Sequence, residues 1–431
     1  MGVVKWVVWG LLMGLVLLVV SNCTMLGLNY ASLSTDGKPA PVPQITATTE
    51  PEWVAQRPGL KAAFEANVYG PWPAGTPVSV ISRRVADPAY KDGLATLEEL
   101  EVAVGGNTFR LGLATPNIGE TPFPLIIAQT FSDNCFVFAS MAMHQSTGAP
   151  CDRTNVPGLI SYIFGEHIAH PPMEDILGAG FAYASFHASD LVRDDPAAAP
   201  ADLASFASEG GVAPTGAIAA WAYGYTAAIV ALSNDAAIDL SRIAAFGHSR
   251  HGKSALLAGV WEPRIGAVVA HQSGYGGAAL SRSTTGEGLE QMVAGASVAP
   301  FLSIPGYPHW FDPAYATYAG RLDDIPIDQH QLLALIAPTP VFLGNARRDV
   351  WSDPNSTFRA AQSASNVYAL YGLSGLAASG MQDFRPGDTI AYFLRSGGHG
   401  TTAEDMTAML AFLSAHFLRL DTGERVDAAL D

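Results

Sequence analysis

A serine, a carboxylate and a histidine, each just past a short apolar run, are the side chains whose order could support covalent catalysis. Ser249 lies in Gly247-His248-Ser249-Arg250-His251-Gly252-Lys253, after apolar Ile243-Ala244-Ala245-Phe246 and before helix-like Ser254-Ala255-Leu256-Leu257-Ala258. Strand, glycine turn, serine, helix is the layout of a nucleophile elbow, which lifts a hydroxyl off the end of a sheet. The usual pattern is G-x-S-x-G. Here His251 takes the fifth position and glycine follows it, so the pattern alone is weak. A serine attacks only when a base takes its proton, and that base is usually a histidine oriented by a carboxylate. Asp349 follows Val341-Phe342-Leu343-Gly344, and His399 stands in Gly397-Gly398-His399-Gly400 after Ile390-Ala391-Tyr392-Phe393-Leu394. Asp353 is a rival for the acid, four residues on in the same loop; Asp349 is favoured because a strand-adjacent position is more rigid. His248 and His251 adjoin the serine but read as structural. Glu166, His167 and His170 lack a further ligand pattern, so no metal is expected there, and no cofactor is implied.

These groups need strands that end together. Apolar runs at 123–128, 181–186, 243–246, 267–271, 341–344 and 390–394 read as buried strands, and 216–232 and 402–417 as helices. Segments 97–104 and 108–113 read as an early antiparallel pair, and 53–70 as a helix docked outside the sheet. Strand–helix alternation indicates an α/β fold with a mostly parallel central sheet covered by helices on both faces. Ser249, Asp349 and His399 then fall at carboxyl ends of strands, where such sheets place their chemistry. Their order along the chain is that of the α/β-hydrolase fold. The glycine-rich, aromatic stretch 274–326 has the character of a substrate-binding loop.

The elbow resembles that of the glucuronoyl esterases, carbohydrate esterase family 15, whose pattern is G-x-S-R-x-G-K. The likeness continues in Gln272-Ser273-Gly274-Tyr275-Gly276-Gly277-Ala278-Ala279-Leu280-Ser281-Arg282, in Gly286-Glu287 and in Tyr307-Pro308-His309-Trp310-Phe311. It extends through Asp328-Gln329-His330-Gln331-Leu332-Leu333-Ala334-Leu335-Ile336-Ala337-Pro338 and Asp349-Val350-Trp351-Ser352-Asp353-Pro354. It is nearest the bacterial branch. The resemblance implies hydrolysis of the ester between (4-O-methyl-)glucuronic acid on xylan and an alcohol of lignin. It implies that Arg250 stabilises the oxyanion, which suits a chain with no H-G-G donor loop after 123–128. It also implies that Lys253, Glu287 and Trp351 bind the uronate ring, with Gln291 and Trp310 as further wall residues. Lys253 is the only lysine after Lys91. Some members carry the acid as a glutamate where this chain has Gln272. Glutamine cannot ionise, though it can still donate a hydrogen bond, so the acid role moves to the later loop.

The chain has 431 residues, 49% hydrophobic and 14% charged, which suits one large globular domain at 51–431. A net charge of −16 argues against nucleic acid and against anionic membrane surfaces as partners. Lys5 and the apolar stretch 6–20 read as a secretory signal or membrane anchor within 1–22, followed by a linker at 23–50. Cys23 loosely fits a lipidation site. Export, whether periplasmic, membrane-tethered or secreted, is expected. Cys135 and Cys151 could pair in an oxidising compartment or remain as two thiols. The expected activity is that of an exported serine esterase acting on glucuronoyl esters in glucuronoxylan or lignin–carbohydrate links. Its rivals are another carbohydrate esterase, such as an acetyl xylan esterase, and an inactive hydrolase-like binding module.

Overall fold

The computed structural model describes residues 9–10, 42–208, 210–282, 286–299, 302–304 and 306–418. Nine strands form the main sheet: β1 (Val78–Ala89), β2 (Ala95–Val104), β3 (Asn107–Pro116), β4 (Phe123–Thr130), β5 (Ala182–His187), β6 (Ile238–His248), β7 (Ile265–His271), β10 (Val341–Ala346) and β11 (Ile390–Arg395). The short β8 (Ala296–Ala299) and β9 (Leu302–Ile304) pair apart from it, inside the glycine-rich stretch. The order across the main sheet is β1-β2-β3-β5-β4-β6-β7-β10-β11. The β1, β2, β3 and β5 neighbours pair antiparallel, and every pair from β5 to β11 is parallel.

The parallel strands are apolar throughout because both faces are covered. Side chains alternate between faces along each strand. Leu125, Ile127, Val268, Ala270 and Leu343 join one core, and Ile126, Ala128, Ala267, Val269 and Phe342 join the other. Helices Ala217–Ala231, Arg250–Trp261, Gln329–Ile336 and Pro354–Leu370 cover the first face. Helices Met173–Gly178 and Ala403–Leu413 cover the second. The buried strands and the early antiparallel pair lie where the apolar runs put them. The sequence reading missed β1, an edge strand, and the β8–β9 hairpin. It began β6 five residues late, at Ile243 rather than Ile238.

The expected leader 1–22, apart from Trp9 and Gly10, and Cys23 lie outside the described residues. Of the expected linker 23–50, Val42, Ile45 and Ala47 pack on the core, and Pro43 O accepts a hydrogen bond from His330 Nε2 at 2.9 Å. Thr49 caps the helix Glu50–Phe64, which buries Trp53 completely. Among the described residues no helix is long and apolar enough to cross a membrane. Cys135 and Cys151 form a disulfide, with Cα atoms 6.2 Å apart. It staples the excursion between β4 and β5.

Candidate active site

Ser249 sits between the last residue of β6 and the first of the helix Arg250–Trp261, with φ 58° and ψ −124°. Left-handed backbone is uncommon for a non-glycine residue and marks a held turn. Ser249 N–H donates to His271 O at 2.8 Å, and Ser249 O accepts from Gly252 N at 2.9 Å. A Cβ on Gly247 would run into the His251 carbonyl, so the turn closes only with glycine there. The His251 position of the irregular pattern faces inward. Its ring packs against Phe131 at 4.3 Å and Trp221 at 5.6 Å, and burial, then the charge of Arg250, holds it well below the usual imidazole range.

β10 and β11 run side by side, which brings Asp349 and His399 together at the same rim. His399 Nδ1 lies 2.7 Å from Asp349 Oδ2. The Asp349 side chain is fully buried and the imidazole is about a third exposed, at 30%. Burial pushes the Asp349 carboxyl up, but the His399 charge and hydrogen bonds from His399 and Ser352 outweigh it and hold the group below its ordinary value. With Nδ1 engaged, Nε2 is the nitrogen left to face a hydroxyl. The His399 ring packs on the ring of His248, the residue before Ser249, at a centroid distance of 4.6 Å. Among the described residues no hydrogen bond closes between Ser249 Oγ and His399, and such bonds tighten when substrate binds. The rival Asp353 has other work. At φ 42° it caps the helix Pro354–Leu370, accepting from Ser356 N at 3.0 Å.

Gln272, at φ 47°, follows the last residue of β7. Its Oε1 accepts from Gly400 N at 2.8 Å. The side chain therefore serves as an acceptor that fastens the histidine loop, while the sequence allowed it only a donor's part.

Arg250 turns toward a carboxylate that sequence reasoning missed. Its Nη1 pairs with Asp194 Oδ2. The other oxygen of Asp194 accepts from Trp310 Nε1 at 2.7 Å and lies 2.9 Å from His309 Nε2. The guanidinium stacks 4.7 Å from the Trp310 ring centroid and 5.4 Å from those of Phe131 and Tyr307. Burial lowers its pKa. Trp310 is only 4% exposed, so it backs Arg250 rather than forming an open wall. The Arg250 N–H opens a helix, where amides lack intrahelical partners and can donate to an anion.

Lys253, one turn on, is 3% exposed. Its Nζ donates to Ser273 O at 2.6 Å and lies 3.8 Å from Glu287 Oε2. Burial lowers the Lys253 pKa and raises that of Glu287, while each charge pulls the other back toward ionisation. Glu287 N donates to Trp351 O at 3.1 Å, and Trp351 is 37% exposed. Gln291 lies exposed on the short helix Leu289–Ala294, three residues past Gly288.

Beyond His399, Thr401 N donates to Phe164 O at 2.7 Å. That bond docks the short helix Gly158–Phe164 beside the histidine loop, and the helix presents exposed Leu159, Tyr162 and Ile163. Glu166 Oε1 accepts from Ala403 N, and the His167 and His170 rings bond backbone carbonyls. Among the described residues one grouping has metal-ligand spacing: Asp133, His187 and Asp190, which Ser146 and mutual contacts already engage.

A serine on a strained elbow, a histidine–carboxylate pair and a buried cation beside them are the parts of an acyl-transfer site. The family model described as "Glucuronyl esterase, fungi" matches residues 137–372. "Carbohydrate esterase MZ0003", from an unknown prokaryotic organism, is 39% identical over 203 residues, 47% of this chain and 44% of that protein. The 4-O-methyl-glucuronoyl methylesterase 1 of Phanerochaete chrysosporium is 30% identical over 201 residues, 46% of this chain and 41% of its own length. The chain thus aligns with less than half the length of these curated relatives. A solved glucuronoyl esterase from Solibacter usitatus superposes with a TM-score of 0.72 at 27% identity, covering 89% of this chain and all (100%) of that one. The sheet and its helical layers are those of an α/β-hydrolase fold, and with more than half of its length matched by the family model the chain belongs to the glucuronoyl esterases, carbohydrate esterase family 15.

Proposed function

We propose that this chain is a serine esterase that hydrolyses esters of (4-O-methyl-)glucuronic acid, as in lignin–carbohydrate links of glucuronoxylan. The observation that carries the reading is the 2.7 Å His399–Asp349 contact on the rim that also holds the Ser249 elbow. His399 Nε2 takes the Ser249 proton as Oγ attacks the ester carbonyl. Asp349 orients the ring and stabilises the imidazolium. Arg250 and its own N–H stabilise the oxyanion. The imidazolium then protonates the departing alcohol oxygen, and water, activated by the same base, releases the uronate from Ser249.

The buried Lys253, its half-buried partner Glu287 and the half-exposed Trp351 suit a uronate ring, with donors and acceptors for hydroxyls and an apolar face. Arg250 acts at the oxyanion, while Gln291 and Trp310 have at most a peripheral part in binding. The alcohol must leave past His399, and the apolar helix Gly158–Phe164 lies on that side. The Cys135–Cys151 disulfide favours an exported enzyme, secreted, periplasmic or tethered by its leader.

The test is turnover of methyl and benzyl glucuronate, the galacturonate counterparts and acetylated xylan by wild type and Ser249→Ala. Glucuronate preference, abolished in the variant, is expected. Preference for acetyl groups, or activity surviving the loss of Ser249, overturns the reading.

A further inference from the structure

We propose that Arg395 is a positioning residue for the base: its guanidinium fixes the backbone on both sides of His399. Arg395 ends β11, and its side chain turns into the loop that follows and is 4% exposed. Nη1 donates to Ser396 O at 2.7 Å, and Nη2 donates to Gly400 O at 2.6 Å and to Gly398 O at 3.2 Å. Residues 398 and 400 flank His399, so one rigid, planar group holds both neighbours of the imidazole. The glycine-rich loop is shaped around it. Gly397 has φ 91°, and a Cβ there would stand 2.8 Å from Arg395 Nη1. Lysine, a single point charge, cannot span three carbonyls in this way.

The clamp is tied to the nucleophile as well. Arg395 Nε donates to Asp405 Oδ2 at 2.6 Å, and the same carboxylate oxygen accepts from Thr402 N at 2.8 Å and Thr402 Oγ1 at 3.0 Å. Asp405 Oδ1 stands 3.0 Å from His271 Nε2, in contact though not aligned as a hydrogen bond. His271 Nδ1 lies 2.8 Å from His248 Nδ1, and His271 O accepts the Ser249 N–H. One buried carboxylate therefore joins the loop carrying the imidazole to the strand ends carrying the hydroxyl.

This inference rests on Ser249 and His399 being nucleophile and base, not on the identity of the sugar. The test is therefore phosphonylation of the full chain by a fluorophosphonate, which needs no sugar. The final extent of labelling counts folded sites, and the rate constant reads their geometry. Misplacing a reacting group by an ångström costs about 100-fold, so Arg395→Lys is expected to label fully but about 100-fold more slowly. Should that variant not fold, Arg395→Ala carries the test. It is expected to label slowly and to regain speed when millimolar guanidinium ion is added. A wild-type rate constant in either variant, a loss only in the extent of labelling, or no response to guanidinium overturns the proposal. Rapid labelling of His399→Ala would instead remove the serine–imidazole reading beneath it.

Discussion

Asp349 and His399 come from adjacent parallel strands and meet at 2.7 Å, while Asp353, four residues beyond Asp349, spends its carboxylate on the helix that follows. The two acids should separate cleanly. Asp349→Asn is expected to lower kcat by about 10³- to 10⁴-fold with KM little changed, because the imidazole loses its orienting charge. Asp353→Asn, which keeps a capping oxygen at the helix start, should leave stability nearly unchanged and kcat within a few-fold. Steady-state kinetics and thermal melts of both variants check this; a reversed pattern would transfer the acid role to Asp353.

Lys253 is buried with the half-buried Glu287 3.8 Å away, so removing one leaves the other without its counter-charge. Lys253→Met should raise KM for glucuronate esters by about 10-fold or more, since a charged hydrogen bond contributes about 1.5–3 kcal/mol. Hydrolysis of a small acetyl ester, which has no ring to hold, should stay close to wild type. Equal losses on both substrates would mean that the lysine supports the fold rather than the sugar.

Acid stability should depend on Asp405, whose carboxyl keeps its charge to low pH in the folded chain. Burial pushes its carboxyl up, but the neighbouring His271 and Arg395 prevail and hold it at about 2. In the unfolded chain an aspartate titrates near about 4. The unfolded state therefore takes up the proton first as pH falls. The stabilisation is complete above about pH 4 and is lost between about 4 and 2, a change of about 2 kcal/mol. The stability gap between wild type and Asp405→Asn should shrink by that amount over this window. Urea unfolding at pH 7, 4 and 2.5 measures it, and a constant gap would contradict the assignment.

The helix Gly158–Phe164 buries none of its side chains, with Leu159 at 69% and Tyr162 at 85% exposed. Its dock against the histidine loop puts that apolar face where an alcohol would depart. The double variant Tyr162→Ser, Ile163→Ser should lower kcat/KM for benzyl glucuronate about 10-fold relative to methyl glucuronate, the effect of covering part of an aromatic ring. Ratios of kcat/KM from competing substrates decide it, and an unmoved ratio would take the helix out of the alcohol site.

The buried strands were readable because two-sided burial writes an apolar run into the sequence, and the rim positions of Ser249, Asp349 and His399 followed from strand ends. β1 was not readable. It lies at the sheet edge with most side chains in solvent, so no face imposes a period on Val78–Ala89. Asp194 was hidden for another reason. It stands among other acids after β5, and its partners lie 56, 115 and 116 residues away in the chain. Nothing local tells which acid turns inward. The end of β5 was the available signal, since residues past strand ends gather at the rim. Trp310 reads the same in sequence whether it lines a cleft or backs an arginine; only its partners Arg250 and Asp194 decide. The disulfide was one of two open outcomes, because spacing does not bring two Cα atoms to 6.2 Å.

Hardening this protein against heat is constrained by where its backbone is twisted left-handed. Among the described residues six non-glycine positions have positive φ: Lys91, Asp92, Ala139, Ser249, Gln272 and Asp353. Glycine at the first three would relax a conformation held at a cost of about 1 kcal/mol each, less the added freedom of the unfolded chain. At the last three the same edit removes a hydroxyl, a loop tether or a cap. Tolerance to temperature can thus be gained in the β1–β2 turn and beside Phe138, while the rim must keep its tension.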